Sequence, residues 1–410
     1  MGEHFIPFRK SDIVAACLGD GRLPVAEQAH FRQFSEILAA TFHHEFHREI
    51  EGLKDVYATL DPNRDTRDLV ETSKVETVER ERLLLERLGG VLVRANYQRL
   101  DPEELQRAMN EESVFRVKLD ARLDDFAELV LFARGSRTGK EVRKGWFGKQ
   151  TPFDVAYYER VVLYARLKDK AHFPPKRLKK VTFTPGTTIL KLFQNIPKAD
   201  LEMLLPNTEV RMRMTDHAII LVPAIFGGVL ALLKLAATLL LLWAFLWYWV
   251  GVGDKPAGEL NKVALTGLGV GLLAFGMHIV RQLGRFKNRK ITFMKALSDS
   301  LYFKNLDNNA GVFHRVIDDA EEEEVKEAVL AYYFLLVGGK PLSAPALDAE
   351  VEAWFRAKHG VTLDFEVDDG LAKLVRLGLV TRQGDAYTAL PLPAAKAELD
   401  RRWDSLFAYA

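Results

Sequence analysis

The stretch AIILVPAIFGGVLALLKLAATLLLLWAFLWYWV, residues 218–250, decides how this chain is read. It is apolar apart from Lys234 and far longer than a buried helix of a globular domain requires. At about 1.5 Å per residue it would reach roughly 50 Å, against a hydrocarbon core of about 30 Å, so it cannot be one upright span. Pro223 and the pair Gly227-Gly228 offer the break. The pattern predicts an interfacial or half-inserted segment over 218–233, then a span from Lys234 to Val250. Trp243, Trp247, Tyr248 and Trp249 form an aromatic belt at its far end.

A second apolar run, VALTGLGVGLLAFGMHIV at 263–280, is just long enough to return. The connection Gly251 to Lys262 is too short for a domain, and Gly267 with Gly271, like Gly227 with Ala231, gives a small-xxx-small face for close helix approach. Arg211 and Arg213 precede the first run, and Arg281, Arg285, Lys287, Arg289 and Lys290 follow the second. This bias places both long flanking segments, and both termini, in the cytosol. The expectation is a multi-pass protein whose two-helix transmembrane hairpin is solvated by the lipid bilayer. Lys234 then either lines a polar path or snorkels to the interface.

The remaining composition narrows the classes. The chain has 410 residues, enough for two or three folded units, with 57 basic and 56 acidic side chains and a net charge of +1. No bulk charge draws it to nucleic acid. The single cysteine, Cys17, excludes an internal disulfide and a multi-thiolate zinc site. Mean hydropathy is −0.07 because a greasy middle is averaged with charged flanks. Met1 to Lys10 lacks the apolar core of a signal peptide, and Ile6 stands where a myristoylation signal wants Ser or Thr, so the chain is read as beginning as written.

Four regions follow. Residues 1–110 are helical: Phe31, Phe34, Ile37, Leu38, Phe42, Phe46, Ile50 and Leu53 share one face, and a charged second helix over Thr66 to Leu88 stops at Gly89-Gly90. Residues 111–216 read as strands over Val114 to Leu119, Leu129 to Ala133, Tyr157 to Leu167, Val181 to Phe183, Ile189 to Ile196 and Val210 to Met214. Residues 217–290 are the hairpin. Residues 291–410 are helical again: an acid-headed helix over Asp318 to Val337, helices over Leu347 to His359 and Val367 to Leu377, and a short strand pair, the order of a winged-helix unit. The fold class is therefore an α+β multidomain membrane protein, its hairpin set between an N-terminal α+β domain and a C-terminal winged-helix-like domain. Asp368 and Asp369 open the third helix and argue against DNA, whose phosphates they would repel. Lys176, Arg177, Lys179 and Lys180 are either an anionic-lipid contact or a solvated loop.

Catalytic signatures are few. Gly135-Ser136-Arg137-Thr138-Gly139-Lys140 is one residue short of a phosphate loop and is followed by Glu141. His43 and His47 stand one helical turn apart, so they are candidate metal ligands or imidazoles edging a buried face. Glu321 to Glu324 suit either a cation or the positive end of a helix dipole. No nucleophile, base and orienting group form a set, and no cofactor is implied.

The blocks TFTPGTTILKLFQNIPKADLEMLLPNTEVRMRMTD (182–216) and SLYFKNLDNNAGVFHRVIDDAEEEEVKEAVLAYYFLL (300–336), with FHHEFHREIEGLKDVYATLDP (42–62), resemble a family of two-span membrane proteins of unknown function. It has bacterial and plant organellar members and includes the animal transmembrane protein 143. The resemblance covers nearly the whole chain and carries over no catalytic residue. It implies little about activity; two soluble parts flanking one hairpin without an enzymatic set lead instead to the expectation of a membrane-anchored interaction or assembly protein, with a protein partner or homo-oligomer, in a bacterial inner membrane or alternatively an organellar inner membrane. An oligomeric channel and a metal-dependent or lipid-processing enzyme are the alternatives. If 193–205 and 304–312 form one surface, function is expected there. Its polar residues Asn195, Lys198, Lys304, Asn305, Asp307, Asn308 and Asn309 are either functional or turn-makers and caps.

Overall fold

The structure is a computed structural model describing residues 4–63, 74–110, 118–144, 150–179, 181, 183–211, 229, 236, 240, 243–251 and 262–407. Its helices are α1 (Lys10–Leu18), α2 (Val25–Tyr57), α3 (Lys74–Arg94), α4 (Pro102–Asn110), α5 (Pro175–Leu178), α6 (Lys262–Lys304), α7 (Ala310–Gly338), α8 (Ala344–His359), α9 (Val367–Arg376) and α10 (Leu392–Asp404). The strands are β1 (Gln98–Arg99), β2 (Lys118–Asp120), β3 (Phe126–Lys144), β4 (Gln150–Leu167), β5 (Thr188–Pro197), β6 (Glu209–Arg211), β7 (Asn305–Asn308), β8 (Leu342–Ser343), β9 (Val380–Gln383) and β10 (Ala386–Ala389). The chain divides into two compact units. One gathers Met1–Arg107, Leu123–Leu201 and Lys304–Ala410, so the amino- and carboxy-terminal parts share a single core. The other holds Ala108–Arg122 and Glu202–Phe303.

In the first unit α7 is the axle. From Val312 to Leu335 most α7 side chains are buried, charged ones included, so the helix is enclosed by its neighbours. Those neighbours are α1, α2, α3, α8 and α9. The α2 stripe Phe31, Phe34, Leu38, Phe42, Phe46, Ile50 and Leu53 is buried as its spacing requires, and the Phe34 ring stacks on Tyr332 at 4.1 Å. A five-stranded antiparallel sheet, ordered β1-β3-β4-β5-β7, joins this core through Val130, Phe132, Val162, Tyr164, Leu190 and Leu192. After α7 come β8, α8, α9 and the hairpin β9–β10, with β8, β10 and β9 forming a second small sheet.

Several boundaries differ from the sequence reading. The Gly89-Gly90 pair does not stop α3, which runs on to Arg94. A helix glycine costs about 1 kcal/mol, and burial of Leu88, Val91 and Leu92 on the far side outweighs it. The C-terminal helix begins at Ala310, not at Asp318, so its acids sit in mid-helix. Residues 181 and 183 are not in a strand. β3 continues past Ala133 to Lys144, pairing with β4 as far as Gln150.

In the second unit β2 pairs with β6, and residues 243–249 are helical. The 263–280 run belongs to α6, a 43-residue helix that carries four glycines, Thr266 and His278 in that run and continues without a break into Arg281, Arg285, Lys287, Arg289 and Lys290. No helix among the described residues is long and apolar enough to cross a membrane. This corrects the expected two-helix hairpin, and the multi-pass inner-membrane address and the pore fall with it. Most of 218–250, Lys234 included, lies outside the described residues.

Candidate functional site

Of the blocks 193–205 and 304–312, the strand pairing joins Phe193 to Asn305. β5 and β7 pair antiparallel at the edge of the large sheet, with Lys191 opposite Asn308, Leu192 opposite Asp307 and Phe193 opposite Asn305 across a bulge. Local backbone needs account for part of the polar composition. Asn195 and Asn309 adopt left-handed φ of 54° and 50°, a conformation asparagine tolerates better than most residues, and the Asn309 N–H donates to the Leu190 carbonyl at 2.7 Å. Asp307, in β7 just before α7, lies 3.4 Å from Arg315. Lys198 sits 4.4 Å from the centre of the Tyr158 ring. Burial lowers the pKa of Lys304, with Asp200 and Glu141 acting against that shift. The side-chain oxygen of Asn305 is buried and accepts no hydrogen bond from a described residue.

A denser array of charge lies along α7, where sequence reasoning saw only a helix start. The Glu321 carboxylate accepts from Lys10 Nζ and faces His43 Nδ1, each at 2.8 Å. Glu322 accepts the Lys10 N–H at 2.6 Å. Glu323 is 2.7 Å from Lys326. Glu324 pairs with Arg94, whose guanidinium also lies 4.2 Å from the Phe46 ring centre. Glu327 is 2.7 Å from Lys373. Asp319 faces Arg134 at 3.1 Å and accepts the Tyr97 hydroxyl at 2.9 Å. Thus α1, α2, α3, β3 and α9 each send a side chain to the same helix.

Burial sets the electrostatics. It raises the pKa of Glu323 against the pull of Lys326 and Arg134. It raises that of Glu327 to about 7 against Lys373. Such pairs add little net stability over apolar packing, yet removing one partner costs about 3–5 kcal/mol. The row therefore serves as a set of cross-links that fixes where five elements dock. These carboxylates face cations, while Glu324 Oε2 is buried without a hydrogen-bond partner among the described residues.

The metal candidates separate. His43 turns to Glu321, while His47 is exposed, and among the described residues no group of three or more His, Cys, Asp or Glu is placed to hold a metal ion. The phosphate-loop-like run from Gly135 to Lys140 is part of β3, so it forms no loop before a helix. In the winged-helix-like region, Lys373 and Arg376 of α9 are committed to Glu327 and Glu45, the latter bidentate at 2.8 and 2.9 Å. Arg177 of the basic run hydrogen-bonds Asp125 at 2.6 Å.

The family described as "Protein of unknown function (DUF3754)" matches residues 158–311, a span that begins in β4, takes in the β5–β7 edge and ends as α7 begins. No solved structure matches this chain.

Proposed function

We propose that this is an interaction or assembly protein that self-associates through α6. One observation carries the reading. Val270, Leu273, Met277, Val280, Ile291 and Met294 recur at spacings of three and four residues along one helix, interrupted by Gly284 and Lys287, and each is 50–68 % exposed. Apolar residues in that a/d register make the seam of a coiled coil, and an exposed apolar stripe of such length marks a surface that another molecule covers. A second copy presents the same stripe, which makes the contact self-complementary. The kinship with the family of transmembrane protein 143, proposed on the blocks 182–216 and 300–336, adds no activity to this reading.

The chain's single cysteine, Cys17, is buried, so a cysteine placed on α6 reports cleanly. Leu273→Cys is expected to form a disulfide between copies under mild oxidation, and light scattering is expected to show a dimer or higher oligomer. Leu273→Glu with Met277→Glu should abolish both. A monomer with no cross-link, or association that requires lipid vesicles, would overturn the proposal.

A further inference from the structure

Residues 4–9, which precede α1 without regular secondary structure and turn where the Phe8 N–H donates to the Ile6 carbonyl at 2.9 Å, lie against the charged row of the first unit, and the contacts that hold them read mostly main chain. Lys326 Nζ donates to the carbonyls of Ile6 at 2.7 Å and Phe8 at 3.1 Å. The Ile6 N–H donates to Glu323 at 3.3 Å, and Asn96 donates to the His4 carbonyl at 3.2 Å. Side chains fill pockets between these bonds. Ile6 is fully buried, Phe8 stacks on Phe355 at 5.9 Å, and Phe5 lies under Arg134 at 4.5 Å and Lys326 at 5.1 Å. At one end the His4 ring faces Glu366 at 3.4 Å.

We propose that this cleft, formed by α7, α8, β3 and Asn96, is a recognition site for a short peptide that turns at a proline, with the chain's own His4-Phe5-Ile6-Pro7-Phe8 as its tethered ligand. The partner is a segment presenting an aromatic, a branched aliphatic, a proline and a second aromatic side chain. Main-chain bonds supply affinity and alternate side chains supply selection, as in other modes of peptide capture. The physical case rests on Lys326. Its ammonium is 1 % exposed and spends its three donors on Ile6, Phe8 and Glu323. With the segment displaced, two of those donors lose their carbonyl acceptors and need water or another main chain in their place, so the site suits a segment that brings carbonyls to it. Another chain with the same pattern satisfies it equally. This inference concerns the first unit and stands apart from the α6 seam.

The probe is a fluorescently labelled peptide HFIPFR, and the receptors are the chain lacking residues 1–8 and the full chain carrying Ile6→Glu, which ejects its own segment. Anisotropy is expected to show saturable binding to both. Affinity should be about tenfold or more weaker for the unaltered chain, whose cleft is filled, and for either receptor carrying Lys326→Met. A scrambled peptide should not bind. Two folded receptors that ignore the peptide would overturn the proposal. So would the failure of both to fold, because the segment would then be part of the core and not a ligand.

Discussion

Glu327 offers a quantitative test of the charged row. Its carboxyl keeps its proton to about pH 7 in the folded chain, chiefly because burial outweighs the attraction of Lys373 at 2.7 Å, whereas an unfolded glutamate releases it near 4.5. Between those values the folded state binds more protons than the unfolded state, so this group's contribution is fully present below pH 4.5 and is lost as pH rises through 7. The loss, at about 1.4 kcal/mol per pH unit, is about 3 kcal/mol. Glu327→Gln removes the titration while keeping an acceptor for Lys373, which retains Asp369 at 3.6 Å and Glu324 at 3.7 Å. Urea unfolding of both chains at pH 5, 6, 7 and 8, followed by circular dichroism, gives the difference profile. Stability of the parent relative to Glu327→Gln should fall by about 3 kcal/mol across that range. A flat difference, or one that rises with pH, would refute the assignment of a buried, readily protonated carboxyl.

Two further outcomes follow from the packing. Asp20 is 3 % exposed and accepts from the Tyr333 hydroxyl and the Trp354 indole, each at 2.9 Å, while pairing with Lys358 and Arg22; Asp20→Ala should lower stability by about 3 kcal/mol, read as a drop in Tm. Burial opposes its charge, but those four partners hold its pKa below the ordinary carboxylate range, so its contribution is present above about pH 4 and is lost on acidification below that. Gly370→Ala would place a methyl group 3.2 Å from the Glu327 carbonyl and 3.5 Å from Ala331, where α9 meets α7, and should cost about 1–3 kcal/mol by the same measurement.

How much of this was legible beforehand depends on how local the deciding physics is. The α2 face was readable because a 3.6-residue period is written in neighbouring residues, and seven of its eight side chains from Phe31 to Leu53 are buried, with Ile37 partly so. The cores of β3, β4 and β5 were readable for the same reason. The extension of β3 through Ser136 to Lys144 was not, since it holds a glycine and four cations with no apolar alternation. Its strand state comes from pairing with β4. Composition led furthest astray in the middle of the chain. An apolar average over 263–280 suggested a lipid-facing span, yet these residues begin a helix that runs on through a cluster of cations. An average carries no information about where a helix ends.

The site shows the same limit from the other side. Glu321 to Glu324 were visible as an acidic run, and a dipole argument explains acids at a helix start. That reading needed no partner, so it could not foresee one. The cations that neutralise the row come from Lys10, Arg94, Arg134 and Lys373, up to 311 positions away, and nothing in the spacing of a lone lysine near the amino terminus says that it will meet Glu321. A usable signal did exist in the apolar residues around the acids. Val316, Ile317, Ala320, Val325, Ala328 and Val329 spread over more than half of the helix circumference, so a helix that buries them draws neighbouring charges in with its aliphatics. Buried carboxylates require cations, and that requirement would have prompted a search for basic residues on the other helices before any fold was known. The same logic reaches Lys326: an ammonium among those aliphatics needs acceptors beyond Glu323, and here a segment outside the helices supplies them as the carbonyls of Ile6 and Phe8.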